Sequence, residues 1–324
     1  MPQIKKKRID RYTDKTTSPE PATGQSKRTR RSYIIIAAVF VAVILLIVGV
    51  FYYQEYVAPF NRTIITVDDT DIKMDYFLSK ARLTGIDPLN LLEPIINEQI
   101  IKQEAPRYVG NVSPPDIDQE LRRTARGASD SLTESEFEEW YRQQLNETRL
   151  SDAEFKEMIR TGILAQRLQE YLAERAPTMA EQVHLNAILL ENYEKAAAVK
   201  KRWESGEDFA TLAREVSQDK ESAKNGGDIG WYPRGVLNYG LDEVAFNLEI
   251  GTVSEPVPSE VGFHLIMVSE KAAVRKIDEE KLQVLKDEAL TTWLQKERQY
   301  HKIEYSFNSE IYAWINQQLA KKPS

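Results

Sequence analysis

Hydrophobic side chains fall along this chain in three patterns: one unbroken apolar run, several stretches at helical spacing, and a region of alternation and turns. The run from Ile34 to Tyr53 holds twenty consecutive uncharged residues, mostly Ile, Val, Leu and Ala. As a helix rising ~1.5 Å per residue it would be about 30 Å long, the depth of a bilayer's hydrocarbon core. Further on, Arg62 to Val67 reads as a short strand closed by the turn Asp68–Asp71, and from Lys73 the pattern becomes helical. Leu89, Leu92, Ile96, Ile100 and Ile101 recur at helical spacing in a segment expected to end before Pro106. Ser113-Pro114-Pro115-Asp116, Thr133 with Glu136, and Ser151 with Glu154 carry the spacing of capped helix starts. Helices are therefore predicted to begin near 114, 134 and 152. The last has Phe155, Ile159, Ile163, Leu164 and Leu168 on one face and is stopped by Pro177.

The texture then changes. Val183–Leu190 is strand-like, Tyr193–Trp203 and Phe209–Val216 are helical, and a glycine loop follows at Asn225–Trp231. A proline turn (Tyr232–Gly235), a helix near Leu241–Phe246 and two closing strands complete the block. Lys281–Tyr300 is helical again, with Leu282, Leu285, Ala289 and Trp293 on one face, and a last amphipathic piece runs from Phe307 to Leu319. Neither outer helical arm has enough apolar face to bury itself, so the two are expected to close on each other in space. The fold class expected is α+β: an N-terminal transmembrane helix, a helical domain built from both arms, and an inserted domain with a small antiparallel sheet.

Charge divides the chain further. Residues 1–32 hold ten Lys/Arg against three acids, a net +7, which leaves −14 on the remainder. This basic tail has no hydrophobic period and is expected to be disordered. Lys27, Arg28, Arg30 and Arg31 directly precede the apolar run, which puts the N-terminus in the cytoplasm and the bulk of the chain outside. The run exceeds the apolar core of a signal peptide and ends in Phe51, Tyr52, Tyr53 and Tyr56, where cleavage would need small residues. A retained anchor over residues 33–55, in contact with lipid, is the reading. The acidic body argues against nucleic acid as a partner. With no cysteine and three histidines, the chain offers no disulfide, thiol nucleophile or histidine-rich metal site, and no cofactor is expected. It also lacks a Gly-x-Ser-x-Gly elbow, and Asn225-Gly-Gly-Asp is not followed by the Gly-Lys-Ser/Thr of a phosphate loop.

Within the inserted block the residue order is specific. Phe209-Ala-Thr-Leu-Ala-Arg-Glu-Val-Ser217, Asp219, Gly226-Gly227-Asp228-Ile229-Gly230-Trp231, Phe246, Gly251-Thr-Val-Ser254, Pro256-Val257 and Gly262-Phe263-His264 resemble the parvulin family of peptidyl-prolyl isomerases. The resemblance covers 181–272. The flanking segments 62–178 and 277–324 look like the helical chaperone domain of extracytoplasmic foldases of the SurA and PrsA types. The resemblance implies cis/trans isomerisation of X-Pro segments in unfolded exported polypeptides at a bacterial cell membrane. It implies a proline cup lined by Leu237, Leu241 and Phe246, with His264, Asp219 and Ser259 as the polar, catalytic side.

Two typical groups are missing. The first-strand histidine slot reads Ala187-Ile188-Leu189, and the cup position usually aromatic is Leu241. His184 lies three residues before the slot, an odd offset that turns it to the opposite strand face. The implied enzyme therefore has a depleted site. Its alternative is a holdase that binds unfolded chains without isomerising them, and a third reading is an envelope protein that docks a partner through its helical arms. Asp228 is expected to tie down its own loop, and His301 to be solvated near a helix end.

Overall fold

The computed structural model describes residues 25–129 and 131–321 and divides into two compact units, one ending at Arg62 and one starting at Thr63. In the first unit, helix α1 (Gln25–Tyr52) runs into a π-helical turn over Tyr53–Val57. Ala37–Val57 is long and apolar enough to cross a membrane, and Tyr52 stacks on Tyr56 at its end with ring centroids 5.2 Å apart. The helix extends back to Gln25, into the segment expected to be disordered; the rest of that segment, residues 1–24, lies outside the described residues.

The second unit is α+β with two antiparallel sheets. Strand β1 (Thr63–Val67) pairs with β2 (Thr70–Lys73) in a hairpin whose turn puts Asp68 at φ 53°, the left-handed region that aspartate tolerates. Helices α2 (Met74–Thr84), α3 (Pro88–Val109), α4 (Pro114–Arg126), α5 (Glu134–Thr148) and α6 (Asp152–Glu174) follow. All three sequence-read starts are full capping boxes: Ser113, Thr133 and Ser151 each accept from the backbone of Asp116, Glu136 and Glu154, whose carboxylates return the bond. Helix α3 corrects one expectation. It runs through Pro106 to Val109 and also contains Pro94. An interior proline costs about 3 kcal/mol, but Leu91, Ile95, Ile96, Ile100, Ile101 and Ala105 are all buried along this helix. At ~1.5–3 kcal/mol for each large aliphatic side chain, packing outweighs the local penalty.

The chain then forms the second sheet with its covering helices. Strand β3 (Met179–Leu190) leads to α7 (Tyr193–Glu204), α8 (Phe209–Val216), the single-turn α9 (Lys220–Lys224) and β4 (Asp228–Pro233). After α10 (Tyr239–Asn247) come β5 (Val257–Ser259) and the long β6 (Gly262–Lys276), giving sheet order β4-β3-β6-β5. One face buries Val183, Leu185, Ala187, Ile266 and Val268 with Leu241, Ala245 and Phe246 of α10. The other buries Ile188, Leu190 and Leu265 against α7 and α8. The alternation of β3 thus feeds two separate cores.

The last segment returns to the first helices. The stretch expected as one helix breaks at Glu288 into α11 (Glu279–Asp287) and α12 (Ala289–Glu297). Gln169 of α6 spans this break, donating to the Lys286 carbonyl at 2.6 Å and accepting from the Leu290 N–H at 2.9 Å. Strand β7 (Ile303–Tyr305) adds to the free edge of β1, and α13 (Ser309–Ala320) packs on α2 and α3. The arms therefore close through a shared sheet as well as through helices. His301 corrects a second expectation: its side chain is 6% exposed and its Nδ1 bonds Asp68 at 2.7 Å, because β7 docks where solvent was expected.

Candidate functional site

The glycine loop sets the geometry of the inserted sheet. Gly226 and Gly227 have φ of 71° and 86°. A Cβ on Gly227 would stand 2.6 Å from the Ala187 carbonyl oxygen, so the loop can lie against β3 only without a side chain there. The contact is fixed by the Ala187 N–H donating to the Gly227 carbonyl at 2.8 Å. Asp228 accepts from the Gly230 N–H at 2.8 Å, tying down its own loop. The register passes from Leu185↔Gly230 to Asn186↔Asp228, which leaves Ile229 as the extra residue of a bulge. The bulge lets Ile229 and Tyr232, an odd number of residues apart, pack on the same apolar face.

On that face lies a cavity of about 230 Å³ lined by Leu185, Ala187, Leu189, Asp219, Ile229, Leu237, Leu241, His264 and Ile266. It is smaller than the ~300–1,000 Å³ of pockets for drug-sized ligands and suits a single side chain. Apart from Asp219 and His264 the lining is apolar.

His264 stands on β6 opposite Leu189 of β3 and Val257 of β5. Its Nε2 is 3.0 Å from Ser259 Oγ. Ser259 donates its one proton to the Gly262 carbonyl at 3.1 Å, so it accepts from His264, which fixes the Nε2–H tautomer. Nδ1 is then a lone-pair acceptor. Burial holds His264 below its ordinary value, and the nearby Asp219 carboxylate opposes this. Asp219 caps α9: it accepts from the N–H groups of Glu221 and Ser222 and from the Ser222 hydroxyl. The Ser222 hydroxyl is the largest influence holding its carboxyl below the usual carboxylate range, so it carries its charge at the cavity edge at neutral pH.

These shifts predict a pH response. A histidine lowered by burial binds fewer protons folded than unfolded. Its contribution is intact above about pH 6.5, its unperturbed value, and is lost as pH falls below that. NMR titration should find the His264 midpoint below 6.5, with Ser259→Ala altering its tautomer signals; a midpoint above 6.5 would mean that the Asp219 charge outweighs burial.

Of the six residues singled out from sequence, the structure brings Leu237, Leu241, Asp219 and His264 to one cavity, with Ser259 behind His264. Phe246 is a correction: it is 5% exposed in the apolar core, under the Arg234 guanidinium, and is absent from the cavity lining. On one helix, positions five apart differ by about 140°, so Phe246 is turned into the core beside the wall that Leu241 lines. Four lining residues, Leu185, Leu189, Ile229 and Ile266, were not singled out; strand alternation starting from Ala187 and His264 points to Leu185, Leu189 and Ile266. His184 faces away, with Nδ1 2.7 Å from Ser269 Oγ and its ring edge-on to Trp231. Among the described residues no group of three His, Asp or Glu side chains could hold a metal ion.

A four-stranded antiparallel sheet with a glycine loop, a covering helix and a small apolar cavity edged by His and Asp is the arrangement of a parvulin-type domain. Residues 186–270 match the rotamase family, described as the PPIC-type PPIase domain. The chain's relatives include the foldase protein PrsA of Geobacillus kaustophilus, 30% identical over 199 residues, covering 59% of this chain and 66% of the relative. The foldase protein PrsA of Oceanobacillus iheyensis is 47% identical over 103 residues, covering 32% of this chain and 33% of the relative. The chain thus spans from about a third to just under two thirds of these relatives' lengths. Among solved structures, the peptidylprolyl isomerase PrsA of Bacillus cereus is 19% identical with a TM-score of 0.38, covering 82% of this chain and 95% of that one.

Proposed function

We propose that this protein is a membrane-anchored foldase that isomerises X-Pro bonds in unfolded exported polypeptides outside the bacterial plasma membrane. Residues 181–272 are the isomerase module, 62–178 and 277–324 together the chaperone part, and 33–55 the lipid-embedded anchor. The observation that carries the reading is the apolar cavity edged by His264 and Asp219 inside a PPIC-type domain.

The chemistry needs no cofactor. Rotation about the prolyl amide is opposed by ~18–20 kcal/mol of lost resonance. Resonance separates charge between nitrogen and oxygen, so the twisted amide is less polar than either planar form. An apolar cup around the pyrrolidine ring therefore favours the twisted state, and each 1.36 kcal/mol of that preference is about tenfold in rate. Leu237, Leu241 and Ile229 supply the cup. His264, kept neutral by burial, and the Asp219 carboxylate supply polar contacts at its edge without being consumed.

The test is an isomerisation assay of residues 63–324 on short X-Pro peptides, alongside suppression of aggregation of an unfolded client. Acceleration over buffer is expected. A folded protein with no acceleration that still holds the client would replace the enzyme with the holdase reading, which the buried Ala187 in place of a polar ring favours. Ala187→His, adding an imidazole to the cavity wall opposite Ile266, is expected to raise kcat/KM several-fold; no rise in a folded variant would mean that the empty slot does not limit the rate.

A further inference from the structure

The proline cavity accounts for one residue of a bound chain. Its neighbours must leave past the segments beside it, and one of these is packed by a helix from outside the sheet domain. Segment 232–237 connects β4 to the cavity, ending in the lining residue Leu237, while Tyr232 packs on the same apolar cluster. Helix α11 lies against this segment at two points. Lys281 Nζ stands 4.6 Å above the Tyr232 ring, and Gly235 passes so close to Leu285 that an added Cβ would be 3.4 Å from Leu285 Cδ2.

Two polar groups on this wall have unused hydrogen-bonding capacity. The Lys281 side chain is 18% exposed, yet its nearest carboxylate, Asp278, is 3.6 Å away, beyond a hydrogen bond. The Tyr232 hydroxyl has no hydrogen-bond partner among the described residues. An ammonium resting on a ring, next to a phenol without a protein partner, offers two donors to a chain laid along this wall.

We propose that Tyr232 and Lys281 bind the chain flanking the proline through its main-chain carbonyl oxygens, so that α11 completes the peptide cleft. This rests on the isomerase reading above for the position of the proline. A main-chain carbonyl fits better than an acidic side chain because the wall already carries negative charge: Glu280 and Asp219 both push the Tyr232 hydroxyl upward, after burial, the largest cause. Recognition through main-chain oxygens is independent of sequence, which suits a protein acting on many clients, and acidic residues beside the proline are disfavoured.

The experiment uses the full chain in detergent micelles and two unstructured fluorescent peptides. One has a single residue on each side of the proline, ~10 Å in all at ~3.3 Å per residue; the other extends several residues both ways. Kd and KM are measured for the wild type, Lys281→Met, Tyr232→Phe, the double variant and Lys281→Arg. The long peptide should bind the wild type about tenfold more tightly than the short one, the worth of two hydrogen bonds. The double variant should lose that advantage, in KM and Kd but not kcat, and Lys281→Arg should retain most of it. Both substitutions keep the buried carbon framework, so an unchanged unfolding temperature is expected. A wild type without preference for the long peptide, or a folded double variant that keeps it, overturns the proposal. A wild type that isomerises neither peptide but loses long-peptide binding in the double variant sinks the isomerase reading and supports the cleft.

Discussion

Replacing Gly227 with alanine is expected to destabilise the unit from Thr63 onward by roughly 3 kcal/mol or more, the range of severe backbone and packing lesions. Two costs combine. The backbone at φ 86° penalises any Cβ, and that Cβ would overlap the Ala187 carbonyl oxygen at 2.6 Å. Neither can relax cheaply, because the atom it meets is backbone in the central strand β3. Gly230→Ala is the control: its φ is 82°, yet nothing lies within 4 Å of an added Cβ. It should lose only the conformational part, about 1–2 kcal/mol. Urea unfolding of both variants measures the difference, and equal losses would remove the close approach to β3 from the account. Isomerase activity should fall with Gly227→Ala, since Ile229 of the cavity wall hangs on the same loop.

The second large effect is on rate. His264→Ala is expected to reduce kcat/KM for X-Pro peptides roughly ten- to a hundredfold, about 1.4–2.7 kcal/mol of transition-state stabilisation. The imidazole, held through Nε2 by Ser259, presents Nδ1 as an acceptor, and alanine removes both this polar edge and part of the wall. Ser259→Ala should cost less, since burial between β3 and β5 still positions the ring. An unchanged rate in a folded His264→Ala protein would take His264 out of the site. The contrast with Phe246 is instructive. Phe246→Ala should act on stability, by about 3–5 kcal/mol, because that ring fills the core behind the cavity.

How far the sequence was legible follows the range of the forces involved. Interactions between residues three or four apart were readable. Each of the three capping boxes is present at the position its spacing indicated, because donor and acceptor lie within one turn of each other. The apolar run was readable for the same reason: its length and composition alone satisfy the test for a membrane span. Inside the sheet domain, the ordered motif from Phe209 to His264 lies in the stretch that matches the family, and four of the residues implied by the resemblance line one cavity. The motif did not separate Leu241 from Phe246, since a motif records which residues are apolar and not which way a helix is turned.

What the sequence by itself determined is thus the set of local decisions: where helices start, which run can cross a membrane, where the backbone must be glycine, and which family the inserted block resembles. The tertiary structure alone decided the rest. It carried α3 through Pro106, because burial along a whole helix outweighs one missing hydrogen bond. It placed β7 beside β1 and buried His301 against Asp68, since a three-residue strand has no signal of its own until an edge is offered to it. It also brought Lys281 of a distant helix over the Tyr232 ring of the sheet domain. Such contacts join residues far apart in the chain, and their energy comes from surfaces that exist only once the fold has closed.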